Sequence, residues 1–108
     1  MNTQFKKGSL ELCVLAFIKE KEQYGYQLAQ NIGKYIDIAD GTLYPLLRRL
    51  VKEGYLRTYF EESTEGPARK YYVLNEQGET RLETVHSEWT VYVKAVNQLL
   101  EETLTQGR

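Results

Sequence analysis

One stretch constrains this chain most: a helical apolar stripe that stops at a glycine and runs straight into two tyrosine-rich strands. Leu43, Leu46, Leu47, Leu50 and Val51 recur at i, i+3, i+4, i+7 and i+8, so one face of a helix opening at Gly41-Thr42-Leu43-Tyr44-Pro45 must be buried. Proline is tolerated in a first turn but breaks a helix interior, so Pro45 fixes the helix start and leaves Thr42 or Asp40 as its N-cap. Gly54 ends the helix. Tyr55 to Phe60 and Lys70 to Leu74 are rich in aromatic and β-branched residues, and Ser63-Thr64-Glu65-Gly66-Pro67 between them is turn chemistry. Together they predict a β-hairpin.

The outer face of that helix carries Thr42, Arg48, Arg49 and Lys52. Two readings fit it: an ordinary solvated face, since Arg and Lys decorate most surface helices, or a face that enters the major groove of DNA, where phosphates line both rims. The hairpin favours the second, because a groove-reading helix followed by a two-stranded ribbon is the winged form of helix-turn-helix. Arg69 and Lys70 flank the hairpin tip, but so do Glu61, Glu62 and Glu65, which phosphate repels. The expected wing therefore touches the backbone through Arg69 and Lys70 instead of lying deep in a groove. Intramolecular ion pairs from Arg48, Arg49 or Lys52 to Asp40, Glu53 or Glu61 would weaken this reading.

Upstream, Leu10, Cys13, Val14, Phe17 and Ile18 sit at helical spacing, with Ser9 as a plausible cap. Lys6-Lys7 before this run imitates a signal peptide, yet Glu11 interrupts it, and Lys19-Glu20-Lys21-Glu22 follows without a small-residue cleavage site. No transmembrane segment is expected. The single cysteine has no internal partner and lies on an apolar face, so a reducing, cytoplasmic compartment is the default. A second helix is predicted over Tyr24 to Ile36, with Leu28, Ala29, Ile32, Tyr35 and Ile36 on its apolar side. Its N-terminal end would cross the DNA backbone, where Tyr24 and Tyr26 can donate to phosphates, although either ring could instead pack in the core.

The last third has the strongest periodicity: Leu82, Val85, Trp89, Tyr92, Val96 and Leu99 alternate spacings of three and four. That is a coiled-coil seam. A small domain cannot bury so long a seam alone, so a homodimer is expected, with the first helix packing on the seam as well. Two recognition helices about 34–36 Å apart would then read a palindromic operator on double-stranded DNA. Trp89, with Tyr92 nearby, either fills the dimer core or offers a flat platform for a small aromatic ligand. Residues 1–74 form the expected winged domain and 75–108 the dimerisation helix.

Net charge is −1, so no basic coat surrounds this 108-residue chain, but its distribution is uneven. Residues 1–74 hold 11 Lys/Arg against 9 Asp/Glu, while residues 75–108 hold 3 against 6. The basic excess sits with the winged part and is small, so a monomer should bind DNA poorly and salt-sensitively.

The pattern Tyr24-Gly25-Tyr26, Gly41-Thr42-Leu43-Tyr44-Pro45, Arg48/Arg49-Leu50, Glu53-Gly54, Gly66, Arg69-Lys70-Tyr71-Tyr72, Leu74 and Gly78 resembles the PadR family of bacterial transcriptional regulators, in its short form. The resemblance spans roughly residues 8 to 82. It implies a mostly α (α+β) winged helix-turn-helix fold, a homodimeric repressor joined by C-terminal helices, and release from DNA by a small, often aromatic or lipophilic molecule. Thr42, Arg48 and Arg49 would approach bases or adjacent phosphates, with Tyr44, Lys52, Arg69 and Lys70 on the backbone.

Enzyme motifs are missing: there is no Gly-rich phosphate loop, nucleophile elbow or His-Glu metal motif, and His86 is the only histidine. No cofactor, metal or membrane partner is expected. The rival from another class is a winged helix that binds protein, which the acidic wing suits; a DNA-binding regulator without effector is the rival within the class.

Overall fold

The computed structural model describes residues 3–105, with side chains from Ser9 onward, so Lys6 and Lys7 lie outside the described side chains. Its elements run α1 (Thr3–Glu20), β1 (Gln23–Tyr24), α2 (Gly25–Gly33), α3 (Asp40–Lys52), β2 (Leu56–Ser63), β3 (Gly66–Leu74) and α4 (Glu76–Leu104). The three strands form one antiparallel sheet in the order β1-β3-β2. This is the expected mostly helical winged fold with a long C-terminal helix.

The core lies where α1, α2, α3 and the sheet converge. Leu43, Leu47 and Leu50 of the predicted stripe are fully buried, against Leu10, Val14 and Leu15 of α1 and Leu28 of α2, with Leu46 and Val51 at its edge. On α1, Leu15 takes a central place, while Cys13 and Phe17 are half-buried flanks. Tyr72 is the buried aromatic of the sheet.

Several boundaries differ from expectation. Ser9 lies inside α1, which begins at Thr3. The N-cap of α3 is Ala39, not Thr42 or Asp40, and no side chain caps it; the Thr42 and Leu43 amides donate to the Ala39 carbonyl instead. Pro45 consequently falls in the second turn, where it leaves the Gly41 carbonyl without its i+4 donor. The second helix ends at Gly33, short of Ile36, and leaves Tyr35 79% exposed. The hairpin is longer than its aromatic runs suggest: Thr64-Glu65 alone makes the turn, Gly66-Pro67 already belongs to β3, and the register shifts between Glu61 and Ser63. Proline is tolerated at such an irregularity of the ladder.

Gly54 stops α3 as expected, at φ +88, in a left-handed conformation that glycine adopts freely. The Tyr55 amide donates to the Leu50 carbonyl and the Gly54 amide to Val51, the paired bonds of a Schellman cap. Asn75 then joins this end to the next helix: its Nδ2 donates to the Gly54 carbonyl at 2.7 Å, while its Oδ1 accepts from the Gly78 amide at 2.8 Å. Gly78 itself is boxed in, since a Cβ there would stand 2.1 Å from the Tyr55 carbonyl oxygen.

α4 runs for 29 residues. Leu82, expected at a dimer interface, is buried in the chain's own core, because the first turns of α4 pack on α1 and the sheet. Beyond them the helix carries exposed apolar residues, among them Trp89 at 39%, Tyr92 at 65% and Leu99 at 59%. No described helix is long and apolar enough to cross a membrane.

Candidate nucleic-acid interface

Burial of Leu43, Leu47 and Leu50 forces the opposite side of α3 outward, and Gly41, Pro45, Arg48 and Lys52 at i, i+4, i+7 and i+11 form an exposed row along it. A Cβ on Gly41 would meet nothing within 4 Å, so the start of the row is open to close approach. Thr42 and Tyr44 flank the row half-buried.

Arg48 and Arg49 are neighbours in sequence but not in role. A 100° turn of the helix carries Arg49 to the side of α1, where its Nη2 donates to Glu11 Oε1 at 3.0 Å and its Nη1 to Glu53 Oε1 at 2.8 Å. The guanidinium, with its side chain still 42% exposed, is thus engaged by intramolecular ion pairs, of the kind that weakens the DNA reading at that position. Arg48 stays exposed and faces the sheet, where burial pushes the Tyr72 phenol up, Tyr44 adds to the rise and the Arg48 cation opposes it.

The wing divides its two cations between faces. Strand alternation places Lys70 with Tyr72, its ammonium 5.9 Å from that ring, and opposite Phe60 of β2. Arg69 lies on the other face, opposite Glu61, with its guanidinium 4.8 Å over the Tyr24 ring. Tyr24 meets Tyr71 edge-on at 5.4 Å, Tyr71 stacks on Tyr59 at 5.3 Å, and the Tyr59 hydroxyl donates to Glu22 at 2.7 Å. That hydrogen bond, with smaller effects from desolvation and the Glu22 and Glu61 charges, pushes the Tyr59 phenol up to about 12. Tyr24 is therefore both the N-cap residue of α2 and the floor beneath Arg69. Tyr26 is 59% exposed, its hydroxyl accepting from Gln30, and is not a core residue.

Three residues that set this geometry carried no assigned role in the sequence. Gln23, 1% exposed, donates to the Phe17 carbonyl and accepts from Asn31, tying the end of α1 to α2. Glu11 and Arg81 form an ion pair at 2.6 Å. The available signal was Glu11 lying at i, i+4, i+7 with Leu15 and Ile18, since a carboxylate on a buried stripe requires a cationic partner. On α4, Val85, Trp89, Tyr92 and Val96 line an open groove of about 830 Å³, closed on its other side by Leu12 of α1.

A three-helix core that projects a cationic helix face beside a two-stranded wing defines a winged helix-turn-helix protein, the class of DNA-binding transcriptional regulators. Residues 14–84 match the transcriptional regulator PadR-like family, and the chain belongs to that family. Its fold is similar to that of a PadR-like transcriptional regulator from Bacillus cereus, at 37% identity over 92% of this chain and 98% of that one with a TM-score of 0.82. A Streptococcus transcriptional regulator is similar at 39% identity over 91% and 98% of the two chains, TM-score 0.81. A PadR family regulator from Eggerthella lenta is similar at 34% identity over 91% and 87%, TM-score 0.82.

Proposed function

We propose that this regulator is a homodimeric repressor that holds a palindromic operator with α3 of both protomers and releases it when a planar, apolar molecule enters the groove beside Trp89. The observation that carries the reading is the exposed row of Gly41, Pro45, Arg48 and Lys52, open at one end and cationic at the other. In this reading Thr42 and Arg48 meet base edges, while Tyr26, Tyr44, Lys52 and Lys70 meet the backbone. Arg69, held on Tyr24, joins the α2 N-terminus in backbone contact. Pairing of two protomers is supported by the apolar length of α4 that the winged core leaves uncovered, Tyr92 and Leu99 foremost. Val85, Trp89 and Val96 line the groove on the same helix, so a ligand there would alter how two such helices meet and hence the spacing of the α3 pair.

The test is binding of the purified protein to the DNA upstream of its own gene against random DNA across a salt series, with Trp89 fluorescence recorded. Selective, salt-sensitive binding by a dimer, reversed by an aromatic compound that quenches Trp89, is the expected result. Selective binding that no quencher reverses would make it an effector-independent regulator. Unselective binding would overturn the reading of α3.

A further inference from the structure

Glu11 is one carboxylate shared by three helices. Its side chain is 10% exposed on α1, and it takes a hydrogen bond from Arg49 of α3 and two from Arg81 of α4. The Arg81 bonds are the closer-fitting: Nε reaches Oε2 at 2.6 Å and Nη2 reaches Oε1 at 3.3 Å, a two-point grip that fixes the plane of both groups. Arg81 is further held by the Tyr55 ring, 5.4 Å below its guanidinium, and Arg49 by Glu53. Neither arginine can shift without changing its bond to Glu11.

The position of this carboxylate gives it a use beyond stability. Leu12, next to Glu11, and Val85, one turn beyond Arg81, are walls of the Trp89 groove. Arg49 is next to Arg48 on α3. A change in how α1 meets α4 at the groove would shift Arg81 against Glu11, and the same carboxylate is bonded to Arg49 beside the exposed row. Ion pairs of this kind add little net stability over apolar residues of similar volume, since desolvation offsets their attraction, but their directional bonds specify one geometry. Apolar side chains at the same three positions would slide.

We infer that Glu11 is a positioning residue that sets the angle between α3 and α4 and carries groove movement to the DNA-reading helix. The inference rests on α3 being that helix, so one arm of its test omits DNA. In that arm, spin labels at Lys52 and Lys94 on a Cys13→Ala background, diluted with unlabelled protein so that only intrachain pairs count, report the α3–α4 distance. Glu11→Gln and Arg81→Met are each expected to broaden that distribution. The triple replacement Glu11→Leu, Arg49→Met, Arg81→Met is expected to broaden it too while unfolding in urea no earlier than the natural chain, which separates positioning from folding.

In the second arm, affinity for the DNA upstream of the gene is compared with affinity for random DNA. Arg81 lies away from the α3 row, yet Arg81→Met should lower the ratio about tenfold, and Glu11→Gln with Arg81→Met together should do no more than either alone. An unchanged distance distribution in all variants overturns the inference whatever the DNA result. Broadened distances with an unchanged ratio overturn the transmission to α3. A natural chain with no selectivity at all condemns the reading of α3, while the distance arm still decides whether Glu11 sets the angle.

Discussion

The Tyr44 ring occupies the space that a side chain on Gly25 would need: a Cβ built there stands 2.6 Å from Tyr44 Cε1 and 3.2 Å from its hydroxyl oxygen. The N-terminus of α2 and the first turns of α3 thus meet through a missing methyl group, and that contact sets where the Tyr44 hydroxyl points.

Gly25→Ala should accordingly swing Tyr44 out while leaving the fold in place, at a cost of about 1–2 kcal/mol in stability. Affinity for the upstream DNA is expected to fall with it, and Tyr44→Phe should lose a similar amount of affinity without the stability cost. Unchanged affinity in Gly25→Ala, measured beside circular dichroism, would remove Tyr44 from the backbone contacts.

The two adjacent arginines of α3 should separate in mutagenesis. Arg48→Ala is expected to cost about 1–3 kcal/mol of binding and to relax preference at particular base positions, whereas Arg49→Ala should act first on urea stability. Lys70→Ala should weaken all sequences alike and flatten the salt slope by about one unit. Equal loss on selected and random DNA for Arg48→Ala would end the assignment of base reading to that residue.

Acid should loosen the Glu11 clip in a defined window. Burial alone would raise the Glu11 pKa, but hydrogen bonds and charge from Arg81 and Arg49 outweigh it and hold the carboxyl below the usual range. A carboxyl depressed on folding contributes stability that is fully present above its unfolded value and lost as pH falls through the folded one. The stability gap between the natural chain and Glu11→Gln, from urea curves, should be constant above about pH 5 and shrink below about pH 4. A gap that instead grew toward low pH would contradict the net direction of the shift.

Alkali should find one tyrosine reluctant. With its hydroxyl held by Glu22 and its phenol pushed up to about 12, Tyr59 should ionise only in strong alkali in an ultraviolet titration. Glu22→Gln is expected to bring its transition down toward the ordinary phenol range; an identical titration curve in that variant would show the hydrogen bond absent in solution.

Gly78→Ala should be the costliest small change. The new Cβ would collide with the Tyr55 carbonyl oxygen, a backbone atom with no rotamer to yield, and with Leu74 Cδ1 at 2.6 Å. We expect a loss of about 3 kcal/mol and a melting temperature lower by roughly 10–20 °C. A drop of only a degree or two would mean that α4 can shift freely on the hairpin base.

What the sequence announced and what it hid divide along a physical line. The stripe of Leu43, Leu47 and Leu50, the stop at Gly54 and the paired strands are written in local periodicity and turn chemistry, and they appear where expected. β1 could not be read, because Gln23-Tyr24 is too short to show alternation and is a strand only by pairing with Tyr71 and Tyr72. The N-cap was misplaced because Ala39 offers no side-chain signal; its carbonyl does the work. Arg49 was only half legible: Glu53 lies at i+4, within reach of a helix spacing rule, but Glu11 lies 38 residues away, and no spacing rule reaches that far. The split of Arg69 and Lys70 between faces was legible in principle from strand alternation alone.

The side-chain amide of Asn75 has a consequence for the identity of the residue itself. Aspartate could accept from the Gly78 amide and start α4 equally well, but its carboxylate has no proton to give. Only a group with a donor as well as an acceptor can also satisfy the Gly54 carbonyl, 21 residues earlier in the chain. Closing the hairpin is what brings that carbonyl within reach, so the Asn75 donor finds its partner only after both strands have paired. The residue that begins the last helix thereby registers that the wing before it is complete.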